Sequence, residues 1–175
     1  LVEDVVGEPR GAERGNGPGC GGGVAVIEHH MHCAAMLERR YHDNQPHLAD
    51  RLARHLLEAR QPERAIEPMM EAMHYHRVRG SFVRAREIFS AWEDVITSLG
   101  LDSIDPRMAE GYIQRARVEI AAGDLSEASD ALEVACEHAQ ELSVEMAEVH
   151  LCQGRIARKR GSLLEMERAL EQSID

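Results

Sequence analysis

The chain has 175 residues and a net charge of −11 with its histidines neutral; 43% of the residues are hydrophobic, 29% charged and 3% aromatic. That length holds one domain with a real core. So few aromatics argue against an all-β sandwich or barrel, and the acidic balance argues against general nucleic-acid binding, because phosphates are repelled. Ala, Leu, Glu, Arg and Met dominate instead, and these are strong helix formers. No apolar run approaches the roughly 18 residues of a membrane helix. Cys20, Cys33, Cys136 and Cys152 show no CxxC spacing, which reads as reduced thiols in a cytoplasmic protein. These features point to a protein or peptide partner of basic or mixed charge, with no nucleic acid and no membrane.

Residues 1–24 form the first expected unit. GEPRGAERGNGPGCGGG is Gly-rich and lacks apolar periodicity, so it cannot offset its ordering entropy and reads as a disordered linker. GPGCGGG lacks the Gly-Lys-Ser/Thr ending and the preceding strand of a phosphate-binding loop. The first residue is Leu, which suggests a fragment of a longer chain.

From residue 25 to 175 the chain reads as one all-α domain. Turn chemistry punctuates it at DNQP (43–46), RQP (60–62), RGS (79–81), LGLDSIDP (99–106), GD (123–124) and RGS (160–162). Between these turns, apolar residues recur three and four apart, as in Leu48, Leu52, Leu56 and in Phe82, Ile88, Phe89, Trp92, Ile96. About eight helices are expected, near 25–42, 46–60, 62–79, 82–99, 105–122, 125–140, 143–160 and 162–174. Asp105-Pro106 has the form of an N-cap followed by Pro at the first helical position.

The first helix opens on EHHMHC. His29, His32 and Cys33 can share one helical face, and imidazole and thiolate are transition-metal ligands. A closed zinc site needs a fourth ligand from elsewhere, with His55 or His42 the candidates. The simpler reading is a helix start whose polar residues face water while Ala34, Ala35 and Leu37 face inward. Further on, HYHRVR puts His74 beside Arg77 and Tyr75 beside Arg79 on neighbouring turns. These four are the candidate partner-binding residues, for lining an inner groove; the plainer alternative is a solvated helical face. RIARKR at 155–160 suits a helix C-terminus, where cations complement the dipole. No acid/base pair and no Ser–His–Asp arrangement stands out, so no catalytic residue and no cofactor is assigned.

A repeat runs through the helices. Gly80, Phe82, Ala85, Phe89 align with Gly123, Leu125, Ala128, Leu132 and with Gly161, Leu163, Met166, Leu170; Pro62, Ala65, Met69 fit the same frame with Arg60 at the glycine position. Ala53, Ala116 and Gly154 stand twelve residues upstream of the small position. Gly ends one helix in a left-handed cap, small residues let paired helices approach, and larger ones fill the groove. Such hairpins stack, because one alone cannot bury both faces.

GDLSEASDALEVA and GSLLEMERALEQS resemble the second half of the tetratricopeptide repeat (TPR). The resemblance covers residues 47–175 and implies a right-handed α-solenoid of antiparallel helices that binds protein. Positions 65, 85, 128 and 166 are unevenly spaced, so the solenoid is expected to be irregular, and the helix near 62–79 must serve two neighbours. Some repeats of this family clamp a peptide carboxylate with Lys and Asn; only Lys159 and Asn44 are available after residue 25, which does not support that clamp. LADRLARHLLEARQPERAIEPMMEAM and GLDSIDPRMAEGYIQRARVEIAAGDLSEA resemble the C-terminal helical region of large bacterial regulators with serine/threonine kinase and AAA- or STAND-type NTPase domains. That resemblance implies a regulatory or sensor tail in signal transduction, non-catalytic because kinase and NTPase motifs are missing. The alternative is a His-rich transition-metal-binding helical module. The last helix is expected to place Leu163, Met166, Leu170 and Ile174 on one face, for self-association or to meet further chain.

Overall fold

The computed structural model describes residues 21–41, 45–101, 105–141 and 143–174. Eight α-helices follow one another: α1 (Gly21–Tyr41), α2 (Ala49–Glu58), α3 (Pro62–Val78), α4 (Phe82–Leu99), α5 (Pro106–Ala122), α6 (Leu125–His138), α7 (Val144–Arg160) and α8 (Leu163–Gln172). A 3-10 turn, Pro46–Leu48, leads into α2, and no strand occurs among the described residues. The all-α expectation therefore stands, with helix bounds within a few residues of those read from sequence. α1 begins at Gly21, inside the segment expected to be a linker; propagating an existing helix adds one hydrogen bond per residue, which offsets part of the entropy cost of glycine. The expected disorder of residues 1–20 lies outside the described residues.

The helix ends follow from local chemistry. Pro62 and Pro106 occupy first-turn positions, where their missing N–H costs nothing. Asp105, Asp124 and Ser143 cap α5, α6 and α7, accepting from the backbone N–H of Arg107, Glu127 and Met146. Gly80, Gly123 and Gly161 adopt positive φ just past α3, α5 and α7, and the next residue's N–H closes back onto His76, Glu119 and Ala157 carbonyls. Arg60 takes the same left-handed conformation after α2, with φ of 56°, where the repeat frame asks for glycine.

Each helix packs on the next. In addition α3 packs on α5, and α5 on α7. α3 contacts both α2 and α4, so it does serve two neighbours. Two apolar clusters form the core. One joins α1 to α4 around Leu52, Leu56, Met69, Met73 and Trp92; the other joins α5 to α7 around Ile113, Leu132, Val149 and Cys152, and Tyr112 packs against both. Ala53, Ala116 and Gly154 are buried, as their role at close helix crossings demands. Gly111 is tighter still, because a Cβ there would overlap the ring of Trp92.

Ion pairs tie the helices together. Asp50 of α2 accepts two bonds from Arg84 of α4, at 2.9 and 2.7 Å, and meets His76 Nε2 of α3 at 3.1 Å. Glu119 of α5 is wholly buried between Arg86 of α4 and Arg115 of its own helix, with Nε–Oε1 distances of 2.9 Å to each. A buried carboxylate held from two sides pins the α4–α5 crossing.

In the last helix the four expected apolar residues lie at different depths. Met166 is half-buried and Leu170 reaches Gly154 of α7, but Leu163 and Ile174 are 70% and 85% exposed. The four residues do not share one environment, because α7 already occupies the side that Leu170 faces.

Candidate functional site

The histidine cluster resolves into two pairs. His29 Nε2 lies 3.6 Å from Cys33 Sγ, one turn along α1. His55 of α2 meets His30, not His29 or His32, with their Nδ1 atoms 2.9 Å apart. His32 is exposed. One imidazole must donate and the other accept, so the pair needs at least one neutral ring. Burial, and the charges of His30, Arg54, Arg51 and His29, hold His55 below the usual 6.5. No group of three or more His, Cys, Asp and Glu side chains is arranged to hold a metal ion among the described residues. His42 lies outside them.

The HYHRVR residues sit at the C-terminal end of α3. Arg77 Nη2 lies 3.1 Å from His74 Nδ1, and the Arg79 guanidinium rests 5.6 Å over the Tyr75 ring. The expected neighbours on successive turns are thus in contact. Arg77 reaches furthest inward. Its Nε is buried without an acceptor, and burial plus the charges of Arg117 and Arg155 lower its pKa. Those two arginines come from α5 and α7, so three adjacent helices bring three guanidiniums together.

The capping glycines align Arg117 with Arg155 and with His74, while Arg77 lies one turn further along α3. Glu67, Glu110 and Glu148 each stand thirteen residues before Gly80, Gly123 and Gly161; His74, Arg117 and Arg155 each stand six before. Equal register on helices that pack side by side places like residues in rows. The carboxyl row is felt at Glu110, whose pKa is raised by loss of hydration and then by Glu148, Glu145 and Glu67. Tyr41, at the end of α1, adjoins this row and is raised by burial and by Glu71 and Glu67. The two rows meet where Arg117 Nη2 bonds Glu148 Oε1 at 2.8 Å. Beside them Cys152 is fully buried, and burial pushes its thiol up, so it adds no negative charge to the arginine row. Gln114 lies between the rows on α5, one turn from Glu110 and one from Arg117, with its Oε1 buried and without a partner.

Reading the sequence found Arg77 and missed Arg117, Arg155, Glu110, Glu148 and Gln114. The usable signal was the charge register counted back from each capping glycine; the apolar frame alone does not carry it.

Two further polar contacts lie on α5. Tyr112 donates to Glu93 Oε1 at 3.0 Å and is pushed up to about 12, by burial first and then by that carboxylate. Arg107 binds Asp105 at 2.9 and 2.6 Å, and Asp105 in turn caps α5. No helix among the described residues is long and apolar enough to cross a membrane. In comparisons with known proteins, the chain matches no family model, no curated protein and no solved structure.

Proposed function

We propose that this chain is a non-catalytic protein-interaction scaffold, built as an irregular right-handed α-solenoid of TPR-like hairpins. In this reading it serves as the regulatory or sensor tail of a larger bacterial signalling protein, a kinase or NTPase, in the cytoplasm. The observation that carries the reading is the lateral packing of α3, α5 and α7 in one glycine-set register. Stacked first helices of successive hairpins present one continuous face, and an extended surface of that kind suits a peptide better than a small substrate. The exposed Leu163, Leu164 and Ile174 of the α8 region fit self-association at the C-terminal end.

The metal-binding alternative has weaker support, because its donors meet two at a time and a structural zinc site uses four. The scaffold reading is tested by selecting a random peptide library on the immobilised chain. Saturable binding of selected peptides, unchanged by a chelator, is the expected result. Failure of every peptide to bind overturns it, and stoichiometric zinc retained through dialysis would favour the alternative.

A further inference from the structure

A groove between the start of α7 and the end of α8 lies open. It holds about 680 Å³ and is lined by Val144, Met146, Ala147, His150, Gln172 and Ile174. Val144 and Ile174 are exposed. Apolar side chains gathered in one groove mark an interaction site, where single ones on a surface do not. One hairpin earlier the corresponding place is filled. α7 packs on both α5 and α6, and its Val149, Cys152 and Ile156, spaced i, i+3, i+7, join one apolar cluster with Ile113 and Ala116 of α5 and Leu132 and Ala135 of α6. Among the described residues no helix does for α7 and α8 what α7 does for α5 and α6.

The matching helix is α1. In its first half Val24, Val26 and Met31 are exposed and Ile27 is half-buried. Val24, Ile27 and Met31 repeat the i, i+3, i+7 spacing of Val149, Cys152 and Ile156, with apolar side chains at all three places. Between Gly21 and Met31 the one charged side chain is Glu28, with the histidines neutral, so this stretch enters an apolar groove with little charge to desolvate. Within one chain α1 packs on α2 and the 3-10 turn, not on α7 or α8, so the groove it fills is that of another copy. We propose that α1 of one copy docks in the α7–α8 groove of the next, taking the place that a following hairpin's first helix would take. Helix and groove are different surfaces, so the contact is heterologous. Each added copy leaves one helix and one groove free, and association runs on head to tail, into a filament or a closed ring.

The inference rests on the self-association in the proposed reading and names the surface that meets the C-terminal end. Sedimentation velocity of the full chain, from about 1 μM to 0.1 mM, tests it through a mixing experiment. One variant carries Val24→Glu with Met31→Glu, and spoils the helix. The other carries Val144→Glu with Ile174→Glu, and spoils the groove. All four positions are exposed, so helical circular dichroism should match native; if a Glu pair loses helix, Ser at the same two positions replaces it. Native chain should grow past the dimer as concentration rises. Each variant alone should associate about a hundredfold more weakly and sediment as a monomer. Mixed in equal amounts, the two should form a dimer that grows no further, because one intact helix then meets one intact groove. A native dimer that stops at two copies, a mixture that stays monomeric, or variants that still assemble would each overturn the head-to-tail contact and leave self-association standing. A native monomer throughout overturns both, and neither result bears on peptide binding.

Discussion

Gly111→Ala tests whether the α4–α5 crossing is as close as the structure has it. A Cβ on Gly111 would lie 2.7 Å from Trp92 Cζ3 and nearer still to Cη2 and Cζ2. Carbon atoms in contact sit about 3.5–4.0 Å apart, so the overlap is severe. The ring has nowhere to go. Trp92 is fully buried, stacks on Phe89 at 5.5 Å and meets Tyr112 edge-on at 6.0 Å. Overpacking of this kind costs about 1–3 kcal/mol, and this overlap belongs at the upper end. Ala regains about 1 kcal/mol over Gly as a helix former. The net loss is then about 2 kcal/mol, which lowers Tm by about 4–8 °C at this chain length. Trp92 is the one tryptophan of the chain, so its fluorescence reports the site directly during urea unfolding. Adding Trp92→Leu should remove much of the extra cost and show coupling of at least about 1 kcal/mol. A Gly111→Ala variant as stable as native, with unshifted Trp92 emission, would refute the reasoning.

Four further outcomes are expected. Arg60→Gly relieves a left-handed residue and should stabilise the chain by about 1 kcal/mol; a lower Tm would show that the Arg60 side chain matters more than its backbone. Glu119→Gln removes the carboxylate from between Arg86 and Arg115 and should cost about 1.5–3 kcal/mol in urea unfolding, where a neutral effect would mean the pair is solvated. His55 should titrate below 6.5 by NMR, so it adds stability that is complete above that pH and fades as pH falls through its folded value. A His55 midpoint above 6.5 would mean that the His30 contact does not form. Leu163→Glu with Leu164→Glu should convert a self-associating chain to a monomer in sedimentation, and a native monomer would end that part of the proposal.

The sequence by itself determined the helices and their ends. Pro62, Pro106, Asp105, Asp124 and the capping glycines act within a few residues of themselves, so their effects are local and readable. Burial of Ala53, Ala116 and Gly154 was also legible, since the repeat frame marks positions where helices cross. Even Arg60 stood out as the one departure from glycine in the repeat frame, and it takes the left-handed φ, 56°, that the frame's glycines take.

Tertiary structure decided the rest. Which histidine His55 meets depends on how α1 rolls against α2, and adjacent helix residues differ by about 100°. His30 and not His29 faces α2, a choice that EHHMHC leaves open. The partition of α8 likewise follows from α7 lying against Leu170. The charge rows are the clearest case. Glu110 and Arg117 look like ordinary solvated residues on one helix, and so do Glu148 and Arg155. They become two opposed rows only because α3, α5 and α7 pack side by side in equal register, and charges interact through space, without regard to their separation in sequence.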